Sequence, residues 1–292
     1  MKKRKTTIIM TLFFFIGLLT LLYPTLSNYY NEKMQVKTIY NYENILNEAD
    51  KIDFDKLKSD AQEYNEKLVS LKEPLLTYDT LTNYKELLNV NNDGMIGYIT
   101  IDKIKVELPI YHGTSNEVLN SSVGHLEGSS LPIGGLGTHS VLSAHRGLPS
   151  SKLFTDLDKL DIGDTFKITI LDETLTYEID KITIVKPSDR SELKINSDED
   201  YVTLLTCTPY GINTHRLLVR GKRIEGPIKK TYITTEAFKI NKLIVIPLVS
   251  LPIILLLMII LLIKPVKKIN IKKYEEFIYP NGKAKGGKVW KN

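Results

Sequence analysis

Cysteine is nearly missing from this 292-residue chain, and the single one, Cys207, excludes any intramolecular disulfide. The fold must then rest on a hydrophobic core, which a chain of this length can build in one or two domains. No Cys/His cluster has metal-ligand spacing, so no metal site is expected. Two look-alikes also fall away. Asn89-x-Asn91-x-Asp93-Gly94 opens like an EF-hand loop, but its twelfth position is Thr100 where a bidentate Glu is needed. Gly134-Gly135-x-Gly137 lacks the Lys-Ser/Thr that completes a phosphate loop. There is no internal repeat and no low-complexity tract.

Basic charge is scarce where a nucleic-acid binder would need it. The formal charge is +5, but residues 1–5 carry +4 and residues 264–292 carry +7, which leaves −6 for everything between. A folded middle of that sign argues against nucleic acid. Beside each basic flank lies an apolar run, at residues 6–24 and 243–263, each close to the roughly 20 residues that span a bilayer as a helix. Pro247 and Pro252 do not exclude the second span. The positive-inside rule puts both flanks in the cytoplasm and residues of about 30–240 outside. A cleaved signal peptide is the alternative for the first run, but the sequence after Pro24 lacks a small-x-small cleavage site. The expected layout is a basic flank (1–5), a span (6–24), an external helical region (31–86), a β domain (87–228), a second span (243–263) and a basic tail (264–292).

Hydrophobic residues at 42% and charged residues at 25% mark a globular protein. Residues 31–73 read as helical, with Phe54, Leu57, Ala61, Tyr64, Leu68 and Leu71 on one stripe that packs on its own domain, and Pro74 as the stop. From Met95 the pattern turns to short strands, at 95–101, 106–111, 139–144, 165–171, 175–184, 201–206 and 216–223, separated by turn signals. One amphipathic helix is expected among them, carrying Leu153, Phe154, Leu157 and Leu160, with Ser150 or Ser151 as N-cap. This is a mainly β domain, a closed barrel or a sandwich.

Cys207 ends an apolar strand and precedes a hairpin-like loop to His215. Taken alone it is as readily core filler as nucleophile. The loop, however, puts Cys207 and Arg216 on neighbouring strands, where paired Cβ atoms lie about 5 Å apart. An arginine there favours thiolate and can hold the oxyanion of an acyl intermediate. Arg220 and Arg223 compete for that part. The base is open among His112, His125, His139, His145 and His215, since spacing does not choose. His145 is favoured because it ends a strand.

The motifs Gly94-Met-Ile-Gly-Tyr-Ile, Leu108-Pro-Ile-Tyr-His-Gly-Thr, Gly124-His-Leu-Glu-Gly-Ser-Ser-Leu-Pro, Leu142-Ser-Ala-His-Arg-Gly-Leu and Thr203-Leu-Leu-Thr-Cys-Thr-Pro-Tyr-Gly-Ile-Asn-Thr-His-Arg, across residues 87–224, resemble the sortases, and within them the pilin-polymerising class C. The resemblance implies an eight-stranded β-barrel, no cofactor, and two membrane helices at a Gram-positive cell surface. It implies Cys207 as nucleophile, His145 as acid/base and Arg216 as the oxyanion or substrate-positioning residue. The implied partners are pilin or surface proteins with an LPXTG-like sorting signal, and a pilin lysine as amine acceptor. Class C enzymes usually carry a lid with an Asp-Pro-aromatic motif; here Asp79 is followed by Thr80, which leaves Tyr78 and Asp79 as lid candidates. Three rivals stay open: a housekeeping-type sortase that anchors proteins to peptidoglycan, a plain cysteine peptidase, and a non-catalytic surface module with an inert core cysteine.

Overall fold

A computed structural model describes residues 2–48, 52–224, 228–229 and 254. The alternating segments form β1 (Met95–Ile101), β2 (Val106–His112), β3 (Val123–His125), β4 (Thr138–Ser143), β5 (Thr165–Ile170), β6 (Glu173–Val185), β7 (Asp200–Thr208) and β8 (His215–Arg223). They join in the order β5-β1-β2-β3-β4-β7-β8-β6, and β5 pairs with β6, so the sheet closes into an eight-stranded barrel. A two-residue β9 (Ile228–Lys229) adds to the start of β6. Ile99, Ile110, Leu142, Leu204 and Val219 are wholly buried within it. Closure leaves none of the eight strands with an open edge, which removes the usual aggregation hazard of a sheet.

One pairing positions the site. β4 and β7 run parallel, from Thr138↔Asp200 to Ser143↔Leu205. Parallel neighbours finish at the same end of a sheet, so the residues that follow β4 meet the last residues of β7.

The N-terminal side differs from expectation in several places. A single helix, α1 (Lys2–Asn47), runs through Pro24, so the apolar run and the helical region after it form one rod about 70 Å long at 1.5 Å per residue. It is long and apolar enough to cross a membrane. Its far half is tied to the barrel: Asn31 Nδ2 donates to the Ser150 carbonyl at 2.7 Å, Gln35 Nε2 to Ser121 at 2.6 Å, and Tyr42 Oη to Ile96 at 3.2 Å. A new helix, α2 (Phe54–Ser70), starts at Asp53, whose carboxylate accepts from the Lys56 amide as an N-cap. The stripe read from the sequence is the face it buries, including Ala61, Tyr64 and Leu68. Pro74 does not end this helix. The chain has already left it at Leu71, and Pro74 instead opens a short turn, α3 (Pro74–Thr77), at the first position where proline fits a helix.

The amphipathic helix expected around residues 150–160 is absent. Leu153 adopts φ +41°, which a right-handed helix does not allow, and only a 3-10 turn forms at Leu157–Lys159. Leu153, Phe154, Leu157 and Leu160 are buried all the same, so the apolar spacing reports core contact made by turns. Strand β3, three residues long, gave no pattern to find. Of the second expected span (243–263) only residue 254 is among the described residues, and the basic tail (264–292) lies outside them.

Candidate functional site

Side chains alternate across a strand, and the two faces of β7 are sharply different. Val202, Leu204 and Thr206 point into the barrel and are buried, whereas on the other face Tyr201, Leu205 and Cys207 are partly exposed and only Thr203 is buried. Cys207 pairs directly with Arg216 across the β7–β8 ladder, and Leu205 with Leu218. The thiol and the guanidinium therefore share the outer face, two positions beyond a leucine pair. Arg216 Nη1 donates to the carbonyls of His215 at 3.1 Å and Asn213 at 3.3 Å. No carboxylate pairs with it among the described residues. Arg220 is engaged elsewhere, with two bonds to Asp180 at 3.0 and 2.6 Å, and Arg223 pairs with Asp200 at the far end of the strand.

His145 is reached by continuing the parallel register. Ser143 is level with Leu205, the Ala144 amide donates to the Leu205 carbonyl at 3.2 Å, and Thr206 Oγ1 donates to the Ala144 carbonyl at 2.8 Å. The ladder ends at that pair; His145 lies two residues beyond it, where the same register carried on would set it level with Cys207. It is partly exposed, as is Cys207.

The other histidines are occupied. His125 has no exposure, and its ring lies 2.8 Å from both Tyr84 Oη and the Ser130 carbonyl. Burial pulls its pKa down to about 4, so it stays neutral. His139 bridges the Lys194 carbonyl and Thr203 Oγ1, both at 2.8 Å, and burial lowers its pKa as well. His112 bonds to the Gly94 carbonyl and packs edge-on against Tyr84, again with its pKa lowered by burial. His215 pairs with Thr208, so the pleat turns it to the face opposite Cys207.

A groove of about 320 Å³ adjoins Arg216 on this outer face. Val185, Leu205 and Leu218 supply its apolar floor, with Glu127, Asp189 and Arg190 at the rim. Leu75 and Tyr78 line it from the segment after α2. That segment passes so close to Gly128 that a Cβ there would lie 2.6 Å from the Pro74 carbonyl oxygen and 2.9 Å from the Leu75 Cα. Of the two lid candidates, Tyr78 faces the groove, while Asp79 is exposed and is not part of its lining. Leu75 was missed. The visible hint was the apolar Leu75-Leu76 pair directly after Pro74. The groove floor was also missed, although Leu205 and Leu218 stand on the same alternating face as Cys207 and Arg216, where apolar residues on an exposed strand face invite a partner. No group of three or more His, Cys, Asp or Glu suited to a metal occurs among the described residues.

A closed barrel that presents a thiol opposite a guanidinium, with an imidazole at the neighbouring strand end, has the parts of a cysteine acyl-transfer enzyme. Comparison with known proteins agrees. The sortase domain family matches residues 99–224. Sortase D of Bacillus subtilis is 33% identical over 131 residues, which is 44% of this chain and 63% of that protein; the chain thus spans somewhat under two thirds of that relative. Among solved structures, sortase C1 from Streptococcus agalactiae superposes with a TM-score of 0.60 at 49% identity, covering 65% of this chain and 99% of that one. Streptococcus pneumoniae sortase C, whose structure is described as bearing on catalysis and pilin substrate specificity, gives 0.58 at 40% identity, covering 66% and 100%. The chain belongs to the sortase family of cysteine transpeptidases, and its solved relatives place it with class C.

Proposed function

We propose that this protein cleaves an LPXTG-like sorting signal through a thioacyl-enzyme and joins pilin subunits by a lysine isopeptide bond. The observation that carries this reading is the Cys207–Arg216 pair on the outer face of the ladder, beside an apolar groove, with His145 two residues past the end of the neighbouring strand. In the first step the Cys207 thiolate attacks the carbonyl of the Thr–Gly bond. Arg216, which no carboxylate among the described residues pairs with, donates to the developing oxyanion. His145 protonates the leaving amine, the C–N bond breaks, and a thioester remains on Cys207. In the second step the ε-amine of a pilin lysine attacks that thioester. His145 takes the amine proton, and the thiolate leaves as the amide forms. Splitting one difficult exchange into two easier ones is the gain from a covalent intermediate.

The apolar floor of Val185, Leu205 and Leu218 suits the Leu-Pro part of such a signal. The segment of Leu75 and Tyr78 lies where that peptide would bind and acts as a lid. The α1 rod holds the catalytic domain at a membrane, and the apolar run at 243–263 returns the chain, so that both termini are cytoplasmic and the barrel is outside. The partial exposure of Cys207 weighs against an inert core thiol.

The test uses the full chain in detergent with a sorting-signal peptide and a purified pilin. Wild type should release the glycine-containing fragment and build a ladder of covalent pilin oligomers, and Cys207→Ala should do neither. Cleavage by Cys207→Ala would overturn the assignment. Cleavage without a ladder, with transfer to a peptidoglycan amine, would make it an anchoring sortase, and release of acid alone a peptidase.

A further inference from the structure

Arg146 follows His145 directly, and the reaction just described gives it no part. Its side chain is only 8% exposed, an unusual place for a guanidinium. Nη2 forms a close ion pair with Asp158. Nη1 donates to Thr208 Oγ1 at 3.4 Å, a bond at the long end of the range. The guanidinium carbon stands 5.9 Å from the centre of the Tyr210 ring. Its Nε is buried with no hydrogen-bond partner. Tyr210 in turn packs on Gly147, at φ +78°, where a Cβ would come within 2.9 Å of the ring.

These partners share one property. Thr208 is the residue after Cys207, Tyr210 lies in the loop that follows β7, and Asp158 lies on the 3-10 turn Leu157–Lys159. That turn is held to the same strand end, since the Phe154 amide donates to the His145 carbonyl at 3.2 Å and Leu157 bonds to Phe154. One guanidinium thus touches the segment after β4, the turn behind it and the end of β7. Thr208 is buried and faces away from Cys207, so Arg146 meets the ladder on the side opposite the thiol. The planar fork of arginine suits such a task, because it bonds in two fixed directions at once, whereas lysine offers a single point charge.

We infer that Arg146 is a positioning residue: it ties the strand end that carries His145 to the strand end that carries Cys207 and so sets the spacing of base and nucleophile. The inference rests on the roles proposed above for those two residues. It accounts for a buried charge whose carboxylate partner is half exposed, a costly arrangement for stability alone.

The test compares wild type, Arg146→Met, Arg146→Lys and Asp158→Ala as full chains, measuring kcat and KM for the sorting-signal peptide together with thermal melting. A misplacement of about 1 Å between reacting groups costs on the order of 100-fold, so Arg146→Met should lower kcat by about that factor. KM should stay within about twofold, because the groove floor of Val185, Leu205 and Leu218 is untouched. Arg146→Lys restores the charge but not the second arm, and should remain about tenfold or more below wild type in kcat. A folded Arg146→Met protein with wild-type kcat, or full recovery with lysine, would overturn the inference. Should Arg146→Met not fold, Asp158→Ala decides: it leaves a buried guanidinium unpaired and lowers the melting temperature, but kcat of the folded protein should drop about tenfold, whereas unchanged kcat sinks the clamp. If wild type itself fails to cleave, the functional reading is what has failed. If wild type cleaves and Arg146→Met keeps pace with it, only the clamp has.

Discussion

The two ends of the β7–β8 ladder each hold an arginine of β8, and their surroundings are opposite. At one end Arg223 pairs with Asp200 at 3.6 Å and stacks over the ring of Tyr177. Asp200 also accepts from the Gly135 amide at 2.8 Å, Tyr177 Oη at 3.0 Å and Thr138 Oγ1 at 3.4 Å. Its pKa is nevertheless raised, because burial outweighs these donors. At the other end Arg216 bonds, among the described residues, only to backbone carbonyls near its own turn, and faces Cys207. A cavity of about 560 Å³ adjoins the Asp200 end, larger than the 320 Å³ groove beside Arg216. Cavity size thus points to the wrong end of the ladder. What separates the ends is free hydrogen-bonding capacity: the polar groups around Asp200 satisfy one another, while those around Cys207 remain available for something that arrives.

The sharpest way to break this contrast is to remove one member from each end. Arg216→Ala should leave melting nearly unchanged, since no carboxylate is left unpaired. It should lower kcat/KM about 100- to 1,000-fold, the usual loss for an oxyanion donor. Asp200→Ala should do the reverse. It leaves the buried Tyr177 Oη and the Gly135 amide without their acceptor, while Thr138 Oγ1 keeps the Gly135 carbonyl at 2.6 Å, and should destabilise the fold by about 3 kcal/mol in denaturant titration. The folded fraction should keep wild-type kcat/KM. If Asp200→Ala lost turnover while Arg216→Ala lost stability, the division of the ladder into a structural and a chemical end would be wrong.

The same contrast explains what the sequence disclosed. The strands that flank Cys207 and Arg216 obey a period of two, and a tight loop between them fixes their pairing, so the opposition of thiol and guanidinium was legible from local pattern. His145 was legible only as a strand end. That the register, carried on, would set it level with Cys207 depends on a parallel pairing between strands more than fifty residues apart, which no local pattern encodes. Apolar spacing at Leu153–Leu160 suggested a helix because periodicity records burial, not the φ/ψ of the backbone that delivers it; Leu153 at positive φ decided otherwise. The break between α1 and α2 was hidden for a related reason, as both helices bury apolar faces and only the Asp53 cap marks the restart.

The smallest effect concerns what covers the chemical end. Tyr78 and Asp79 were the lid residues suggested by sequence, yet the side chain that joins the apolar cluster of Val141, Val185 and Leu218 is Leu75. Half-burying a leucine is worth about 1 kcal/mol, so Leu75 should hold its segment over the groove by about that amount. A peptide that binds only the open form then sees its affinity reduced by the open fraction. Leu75→Ala should accordingly raise kcat/KM for a sorting-signal peptide by about fivefold, through a lower KM with kcat unchanged. Asp79→Ala should alter neither, because that carboxylate lies exposed outside the groove. The reverse result, a faster Asp79→Ala and an unaltered Leu75→Ala, would mean that a polar contact made by Asp79, and not apolar packing of Leu75, holds the segment over the groove. The chemical end would then be covered by the same kind of satisfied polar contact that closes the Asp200 end.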